Sequence, residues 1–224
     1  MHVISVPAWA TERGHLSGLA KPIDPATTAV VAIDFQRFFI DDGEPMGTRH
    51  AQDILGNANR INAAVRASGG LVILTQHSFA EPAESGADGQ LPEPGSLTTK
   101  ELRPGSRSFE LHPDLVRTEA DISIVKHQSS PLHPQAHTGL AEILRDHGTE
   151  TVIITGLASN GCCDCLARDA FQHGYNVVVA SDASAAMTDE EHNASLLNLA
   201  IYYAQVLDTD QIESALSTEA ERLD

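Results

Sequence analysis

Three side chains with complementary chemistry are spread along this sequence: an aspartate, a lysine and a cysteine. Asp34 and Lys126 each end a run of apolar and β-branched residues, and Cys162 opens a helical stretch after a turn of small residues at 156–161. A thiolate can attack a carbonyl carbon, a carboxylate can take and return the thiol proton, and an ammonium stabilises the negative charge that develops. The trio therefore indicates covalent chemistry at sulfur.

The position of Cys162 predicts an activated thiol. The free backbone N–H groups at a helix N-terminus lower a thiol pKa, as does a nearby lysine, so we expect rapid alkylation by iodoacetamide near neutral pH. The small residues before the cysteine could also direct N–H groups at an oxyanion. Each residue alone has a structural interpretation, because an aspartate often caps a helix, a lysine is usually solvated, and a cysteine is often a small buried hydrophobe. Cys163 and Cys165 are interpreted as such hydrophobes.

The elements that must position the trio alternate between strand and helix. This pattern predicts an α/β, Rossmann-like three-layer sandwich, in which a six-stranded parallel sheet of order 3-2-1-4-5-6 carries helices on both faces. The predicted strands are 29–34, 71–76, 121–126, 151–155, 176–181 and 205–207. The predicted helices are 51–68, one ending at Gly148, one from about Cys162 to Gly174, and one that starts with the capping-box pair Thr188 and Glu191. Ligands collect at the carboxyl ends of parallel strands, so the three side chains should converge.

The chain divides into an arm, one domain and a tail. We predict an N-terminal arm at 1–24, a single domain at 25–217 and an acidic tail at 218–224. The irregular segment 78–113 is either an active-site lid or a surface excursion.

Charge and composition exclude several partners. The formal net charge is −17, which would repel both nucleic acid and an anionic membrane surface. No apolar run approaches the ~20 residues needed to span a bilayer, and the N-terminus lacks a signal-peptide core, so a cytoplasmic location is expected. The three cysteines lie within four positions, which argues against a disulfide framework and against a zinc site. We expect neither a metal nor a cofactor.

Two rival functions are compatible with a six-stranded α/β fold. A Rossmann-type dinucleotide binder would need a glycine-rich turn after the first strand, and Asp34 to Phe39 contains no glycine. A catalytically silent binding protein on the same fold stays open, although the presence of all three reactive side chains argues against it.

Several segments resemble one enzyme family, the isochorismatase-like cysteine hydrolases. VIITGLASNGCCDCLARDA at 152–170 is similar to the nucleophile motif of that family. AVVAIDFQRFF at 29–39 resembles its first strand, and VKHQSS at 125–130 resembles its lysine segment. Asp182 and DEEHNAS at 189–195 also resemble the family, so the similarity covers about 25–215.

The resemblance implies roles for individual residues. It implies Cys162 as nucleophile, Asp34 as general base and acid, and Lys126 as electrostatic partner. It also implies a cis peptide between Leu157 and Ala158, with the backbone amides of Ala158 and Cys162 forming an oxyanion hole. The implied reaction is hydrolysis of an amide or carbamoyl C–N bond of a small molecule through a cysteine acyl-enzyme.

Departures from the family pattern bear on the substrate. Nicotinamidases carry an Asp-x-His pair and a further histidine for a metal, whereas residues 75–78 here are Thr-Gln-His-Ser. True isochorismatases cleave a vinyl ether without a nucleophilic cysteine, so Cys162 favours C–N hydrolysis, with vinyl-ether hydrolysis as the alternative. The usual threonine of the nucleophile turn is Ser159.

The sequence also bears on the substrate pocket and on the assembly state. The candidate substrate-binding residues are Phe38, Phe39, His77 and His127, with Trp9 of the arm as a further candidate. The family resemblance implies a homo-oligomer, a dimer or a tetramer. The last long helix agrees with this, since it carries a broad apolar arc of Leu196, Leu197, Leu199, Tyr202 and Tyr203.

Overall fold

A six-stranded sheet forms the centre of the computed structural model, which describes residues 1–78 and 102–217. Every neighbouring pair of strands is parallel, and the order is β3-β2-β1-β4-β5-β6. The strands are β1 Thr28–Ile33, β2 Leu71–His77, β3 Ile122–Lys126, β4 Thr151–Leu157, β5 Asn176–Ala185 and β6 Gln205–Leu207. The predicted fold class and strand order are confirmed.

Helices cover both faces of the sheet. In the described ranges they are α1 Ala8–Leu16, α2 Arg37–Ile40, α3 Arg49–Asp53, α4 Leu55–Ala67, α5 Leu140–Asp146, α6 Asp164–Gln172, α7 Asp189–Tyr202 and α8 Thr209–Leu216. Short 3-10 turns occur at Pro25–Thr27 and Pro134–Ala136, and a π-type turn spans Ser159–Cys163. The capping box predicted from Thr188 and Glu191 is present at the start of α7.

The central strand β1 explains the three layers. All six of its residues are buried, as expected for a parallel strand covered on both faces. Val30 and Ala32 pack into one core with apolar residues of α3, α4 and α8. Val31 and Ile33 pack into a second core with residues of α5, α6 and α7. Successive side chains of β1 thus point into two different cores, and helices must cover both faces of the sheet.

The N-terminal segment packs on the domain through α1 and α7. A Cβ atom at Gly14 would lie 2.1 Å from the carbonyl oxygen of Ala200, so the two helices approach at backbone distance. His2 is also buried. Trp9 lies on α1 and is 53% exposed.

Most strand boundaries differ from the predicted ones by one or two residues, and three departures change the local structure. The predicted helix 51–68 is split at Ile54 into α3 and α4. β5 continues past Ser181 to Ala185, with a register shift against β4 between Ile154 and Gly156. The helix predicted from about Cys162 begins at Asp164, directly after the π-type turn Ser159–Cys163, which is kinked at Gly161 with φ −124° and ψ −107°.

Several predictions concern residues at or beyond the described ranges. The proposed lid, 78–113, lies largely outside them, as does the tail 218–224. The described end of that segment packs against α2, where the N–H groups of Arg37 and Phe38 donate to the carbonyls of Glu110 and Ser108. No helix in the described ranges is long and apolar enough to cross a membrane.

The apolar arc of α7 is divided between the core and the surface. Leu196 and Leu199 are fully buried within the subunit, whereas Tyr202 is 52% exposed. The homo-oligomer therefore stays a prediction.

Candidate active site

The ammonium of Lys126 lies at the centre of a buried polar cluster at the carboxyl ends of the strands. Its Nζ is 2.7 Å from Asp34 Oδ2, 3.2 Å from Cys162 Sγ and 3.1 Å from His77 Nδ1. It also donates to the carbonyl of Gln128 at 3.3 Å. The Lys126 and Asp34 side chains are fully buried. The structure thus brings together the aspartate, the lysine and the cysteine selected from the sequence.

Asp34 is oriented by the neighbouring strand. The Thr75 hydroxyl of β2 donates to Asp34 Oδ1 at 2.7 Å, and the Asp34 N–H donates to the Thr75 carbonyl at 3.1 Å. Asp34 itself has φ +53°, a left-handed conformation that aspartate tolerates better than most residues. One carboxylate oxygen is therefore fixed by Thr75, and the other faces the ammonium.

Register and one glycine bring the cysteine next to the aspartate. β1 and β4 pair as far as Ile33 and Gly156, so the strand carrying Asp34 and the strand leading to Cys162 end side by side. Gly156 has φ +110°, and a Cβ atom there would lie 2.0 Å from the Ile33 carbonyl oxygen. Only glycine permits this approach without displacing a strand end.

The turn that carries the nucleophile candidate is irregular. The peptide between Leu157 and Ala158 is cis. The Ala158 carbonyl accepts from the N–H groups of Gly161 at 2.9 Å and Cys163 at 3.1 Å. Cys162 therefore lies in the π-type turn Ser159–Cys163, which runs directly into α6.

The electrostatics of the trio correct one prediction. Burial raises the pKa of the Cys162 thiol to about 12; Lys126 opposes this shift, and the charge and hydrogen bonding of Asp34 add to it. Burial lowers the pKa of Lys126, but attraction to Asp34 and Cys162 outweighs burial, so the net shift is upward. The prediction that the pKa of Cys162 is lowered is therefore wrong in direction. The resting site contains a protonated thiol beside an ion pair.

His77 joins the cluster as a neutral group. Burial, together with the charge of Lys126, lowers the pKa of His77 to about 4, although Asp34 opposes this shift. An ammonium only donates, so His77 Nδ1 accepts from Lys126 and carries no proton.

The same geometry bears on metal binding. Ligand atoms of Asp34, His77 and Cys162 lie within 4.8 Å of one another, a spacing that would suit an ion. All three groups, however, contact the Lys126 ammonium, so a cationic group of the protein itself already lies among these atoms. The donor set does not fit a metal while Lys126 is charged, and the absence of a metal stays a prediction.

Gln36 ties the ends of β1 and β2 together. Its Nε2 donates to the carbonyls of His77 and Phe109, each at 3.0 Å, and its Oε1 accepts from the His77 N–H at 2.6 Å. Gln36 of the Asp-x-Gln motif therefore has a structural role, since it holds the backbone of His77 next to the site.

The predicted pocket residues have different environments. Phe38 is buried and makes an edge-to-face contact with Phe39, with ring centroids 4.9 Å apart. His127 is exposed, and its Nδ1 contacts the Ser78 carbonyl at 2.7 Å. His77 contacts Lys126. Substrate binding by these four residues stays a prediction.

Sequence reasoning missed two residues that support the site. Thr75 orients Asp34, and its signal was a polar residue that follows four apolar ones in β2. His192 contacts the nucleophile turn through Ser159. Its only signal was a histidine in the segment DEEHNAS.

Known proteins share this sequence pattern and this fold. The sequence profile of the Isochorismatase domain matches residues 28–211. The ureidoacrylate amidohydrolase RutB of Methylobacterium radiotolerans is 30% identical over 218 residues, which cover 87% of this chain and 81% of RutB. Nicotinamidase 3 of Arabidopsis thaliana is 28% identical, with coverage of 84% and 88%.

A solved structure supports the fold assignment. A cysteine hydrolase from Pseudomonas syringae superposes with a TM-score of 0.80 at 24% identity, covering 88% of this chain and 95% of that one. The profile match spans most of the chain, and RutB is 30% identical with 81% of its length aligned. The chain therefore belongs to the isochorismatase family of hydrolases.

Proposed function

We propose that this protein hydrolyses an amide or carbamoyl C–N bond of a small molecule, with Cys162 as a covalent nucleophile. One observation carries the proposal: a single buried ammonium contacts both the Asp34 carboxylate and the Cys162 sulfur. This arrangement joins a nucleophile, a base and a charge stabiliser in one cluster.

The high pKa of the resting thiol defines the first step. Because the thiol is protonated at neutral pH, attack requires a base, and Asp34 is the carboxylate within reach. As the sulfur forms its bond to the substrate carbon, the thiol proton passes to Asp34. Lys126 keeps its charge and offsets the negative charge that moves from the carboxylate to the tetrahedral intermediate.

The second step breaks the C–N bond. The developing oxyanion is held by the backbone amides of Ala158 and Cys162 in the nucleophile turn. Protonated Asp34 returns its proton to the nitrogen, which leaves as ammonia or an amine, and a thioester remains on Cys162. Water, deprotonated by Asp34, then hydrolyses the thioester and regenerates the thiol.

A substrate panel tests this proposal. Ureidoacrylate, N-carbamoyl amino acids, maleamate and aromatic amides are incubated with the protein, and ammonia is measured. Turnover should require both Cys162 and Asp34. Cys162→Ala and Asp34→Asn should each lose nearly all activity, and the double variant should lose little more, because the two groups act as one unit.

The vinyl-ether alternative predicts a different result. An enzyme of that type would cleave isochorismate and would keep its activity in Cys162→Ala. Vinyl-ether cleavage by that variant, with no ammonia released from the panel, would replace the proposal.

A further inference from the structure

Helix α7 contacts the nucleophile turn at Ser159. Ser159 lies three residues before Cys162, and its side chain is buried. His192 Nδ1 is 2.8 Å from Ser159 Oγ, and the Ser195 hydroxyl donates to the Ser159 carbonyl at 2.9 Å. Two residues one turn apart on α7 therefore fix both the side chain and the backbone of Ser159.

The direction of the first hydrogen bond follows from the other nitrogen of His192. Nε2 is 3.0 Å from the Ser181 carbonyl, which can only accept, so Nε2 carries the proton. Burial, reinforced by nearby His2, lowers the pKa of His192 to about 4, and the ring is neutral near pH 7. Nδ1 is then an acceptor, and the Ser159 hydroxyl donates to it.

A second histidine packs behind the first. The His2 ring lies between His192 and His50, with centroid distances of 4.3 and 3.8 Å. Its Nε2 accepts from the Ala186 N–H at 3.1 Å, and its Nδ1 faces Asp189 at 2.7 Å. The N-terminal segment therefore contributes a buried ring that restricts rotation of His192.

This cluster is better suited to support than to metal binding. His2, His50 and Asp189 offer ligand atoms within 4.8 Å of one another. The rings of His2 and His50, however, are only 14° from parallel, so their in-plane lone pairs do not converge on one ion. A metal at His2 would also displace its hydrogen bond to Ala186 or its contact with Asp189.

We propose that His192 is a positioning residue for the oxyanion hole, acting through Ser159, with His2 holding its ring in place. The inference rests on the proposed function, because it concerns the amides of Ala158 and Cys162 on either side of Ser159. If the Ser159 hydroxyl loses its acceptor, the turn can rotate and move these N–H groups away from the oxyanion. The thiol itself, held by Lys126, should be affected much less.

Acetaldehyde tests this directly, without knowledge of the natural substrate. The Cys162 sulfur adds to its carbonyl carbon, and the thiol proton passes to the carbonyl oxygen, which occupies the oxyanion hole of the hemithioacetal. The dissociation constant is measured by ¹³C NMR with labelled acetaldehyde. Iodoacetamide alkylation, which needs the thiolate but no oxyanion hole, serves as the reference reaction.

Two substitutions separate hydrogen bonding from packing. His192→Phe keeps a flat ring but has no acceptor, and we expect acetaldehyde binding about 10- to 100-fold weaker, somewhat less than the cost of losing an oxyanion-hole donor itself. His192→Asn retains an acceptor near the Nδ1 position, and we expect it to stay within about threefold of wild type. Alkylation rates should stay near wild type in both.

Ser159→Ala removes the same hydrogen bond by deleting its donor in the turn. This variant still tests the inference if substitutions at His192 prevent α7 from folding. It should weaken acetaldehyde binding like His192→Phe, and the double variant should be no worse than either single variant. The inference is wrong if His192→Phe or Ser159→Ala binds acetaldehyde as wild type does, if His192→Asn equals His192→Phe, or if alkylation falls in parallel. Failure of the wild type to form a hemithioacetal would instead refute the nucleophile itself.

Discussion

The protonation state of Cys162 leads to a counter-intuitive prediction for Asp34→Asn. The carboxylate raises the thiol pKa through its charge and through a hydrogen bond. Replacing it with a neutral amide should therefore lower the thiol pKa and speed alkylation, even though the same change removes the base and abolishes turnover. If Asp34 only stabilised the fold, its replacement would not speed alkylation of Cys162 while abolishing turnover.

The magnitudes follow from the thiolate fraction. With a pKa of about 12, against a reference value of 9.0, the thiol at pH 8 is about 10⁻⁴ ionised, and alkylation should be about a thousandfold slower than for a free cysteine. A unit charge ~4 Å away at an effective dielectric constant of ~20 is worth about 4 kcal/mol. One pKa unit corresponds to about 1.4 kcal/mol and to a tenfold change in the thiolate fraction, so even a third of this energy would make Asp34→Asn react about tenfold faster than wild type.

The assay follows iodoacetamide alkylation of the Cys162 peptide by mass spectrometry between pH 7 and 10. A Cys165→Ser background removes the half-buried second thiol, and Lys126→Met is the opposite-sign control, which should react more slowly than wild type. Alkylation of Asp34→Asn at or below the wild-type rate would refute the assigned electrostatics. So would a wild-type thiol that reacts as fast as free cysteine at pH 7.

Three further predictions concern stability and support of the site. The pKa values of His77 and His192 are lowered from 6.5 to about 4, so the unfolded chain binds more protons between these values and stability falls as pH falls. From pH 7 to 5 each histidine should cost about 2 kcal/mol of unfolding free energy; equal urea midpoints at the two pH values would contradict this. Thr75→Val, which removes the hydrogen bond to Asp34, should lower kcat about tenfold, and an unchanged kcat in steady-state assays would reassign Thr75. Gly156→Ala should lose more than about 3 kcal/mol in thermal or urea unfolding. Gly174→Ala, at φ +91° with open space around it, is the matched control, and equal losses would show that crowding at Gly156 is unimportant.

The fold was predictable because each strand carries its pattern locally. β1 reads as an uninterrupted apolar run with both faces buried, and short runs of this kind between helices leave few arrangements other than a covered parallel sheet. β5 was predicted to end at Ser181, whereas it continues through the polar residue Asp182 to Ala185. In the folded protein the Ser181 hydroxyl donates to the Leu207 carbonyl, and Asp182 accepts from Asn57 and Thr209. These partners are distant in sequence.

The members of the site were predictable for a topological reason. Asp34 and Lys126 lie at strand ends, and parallel strands place their carboxyl ends on one edge. The thiol pKa was not predictable, because its sign depends on the balance of burial, Lys126 and Asp34 around one sulfur atom. The start of α6 was predicted two residues too early, because the π-type turn Ser159–Cys163 runs directly into Asp164.

The supporting residues were missed for a related reason. Thr75 contacts Asp34 across 41 positions, and His192 contacts Ser159 across 33. A single polar residue in a strand or a helix gives no local sign of its partner. Only the paired strands and the packed helix α7 define these contacts.

The acyl-thioester on Cys162 is the central claim, and partitioning to hydroxylamine tests it most directly. A primary amide, an N-methyl amide and an ester of the same acid are turned over in the presence of hydroxylamine, and hydroxamate and acid are quantified. If all three substrates pass through one thioester, the ratio of hydroxamate to acid must be the same for each. Cys162→Ala should form no hydroxamate. Ratios that depend on the leaving group, or turnover of the amide by Cys162→Ala, would contradict the covalent mechanism.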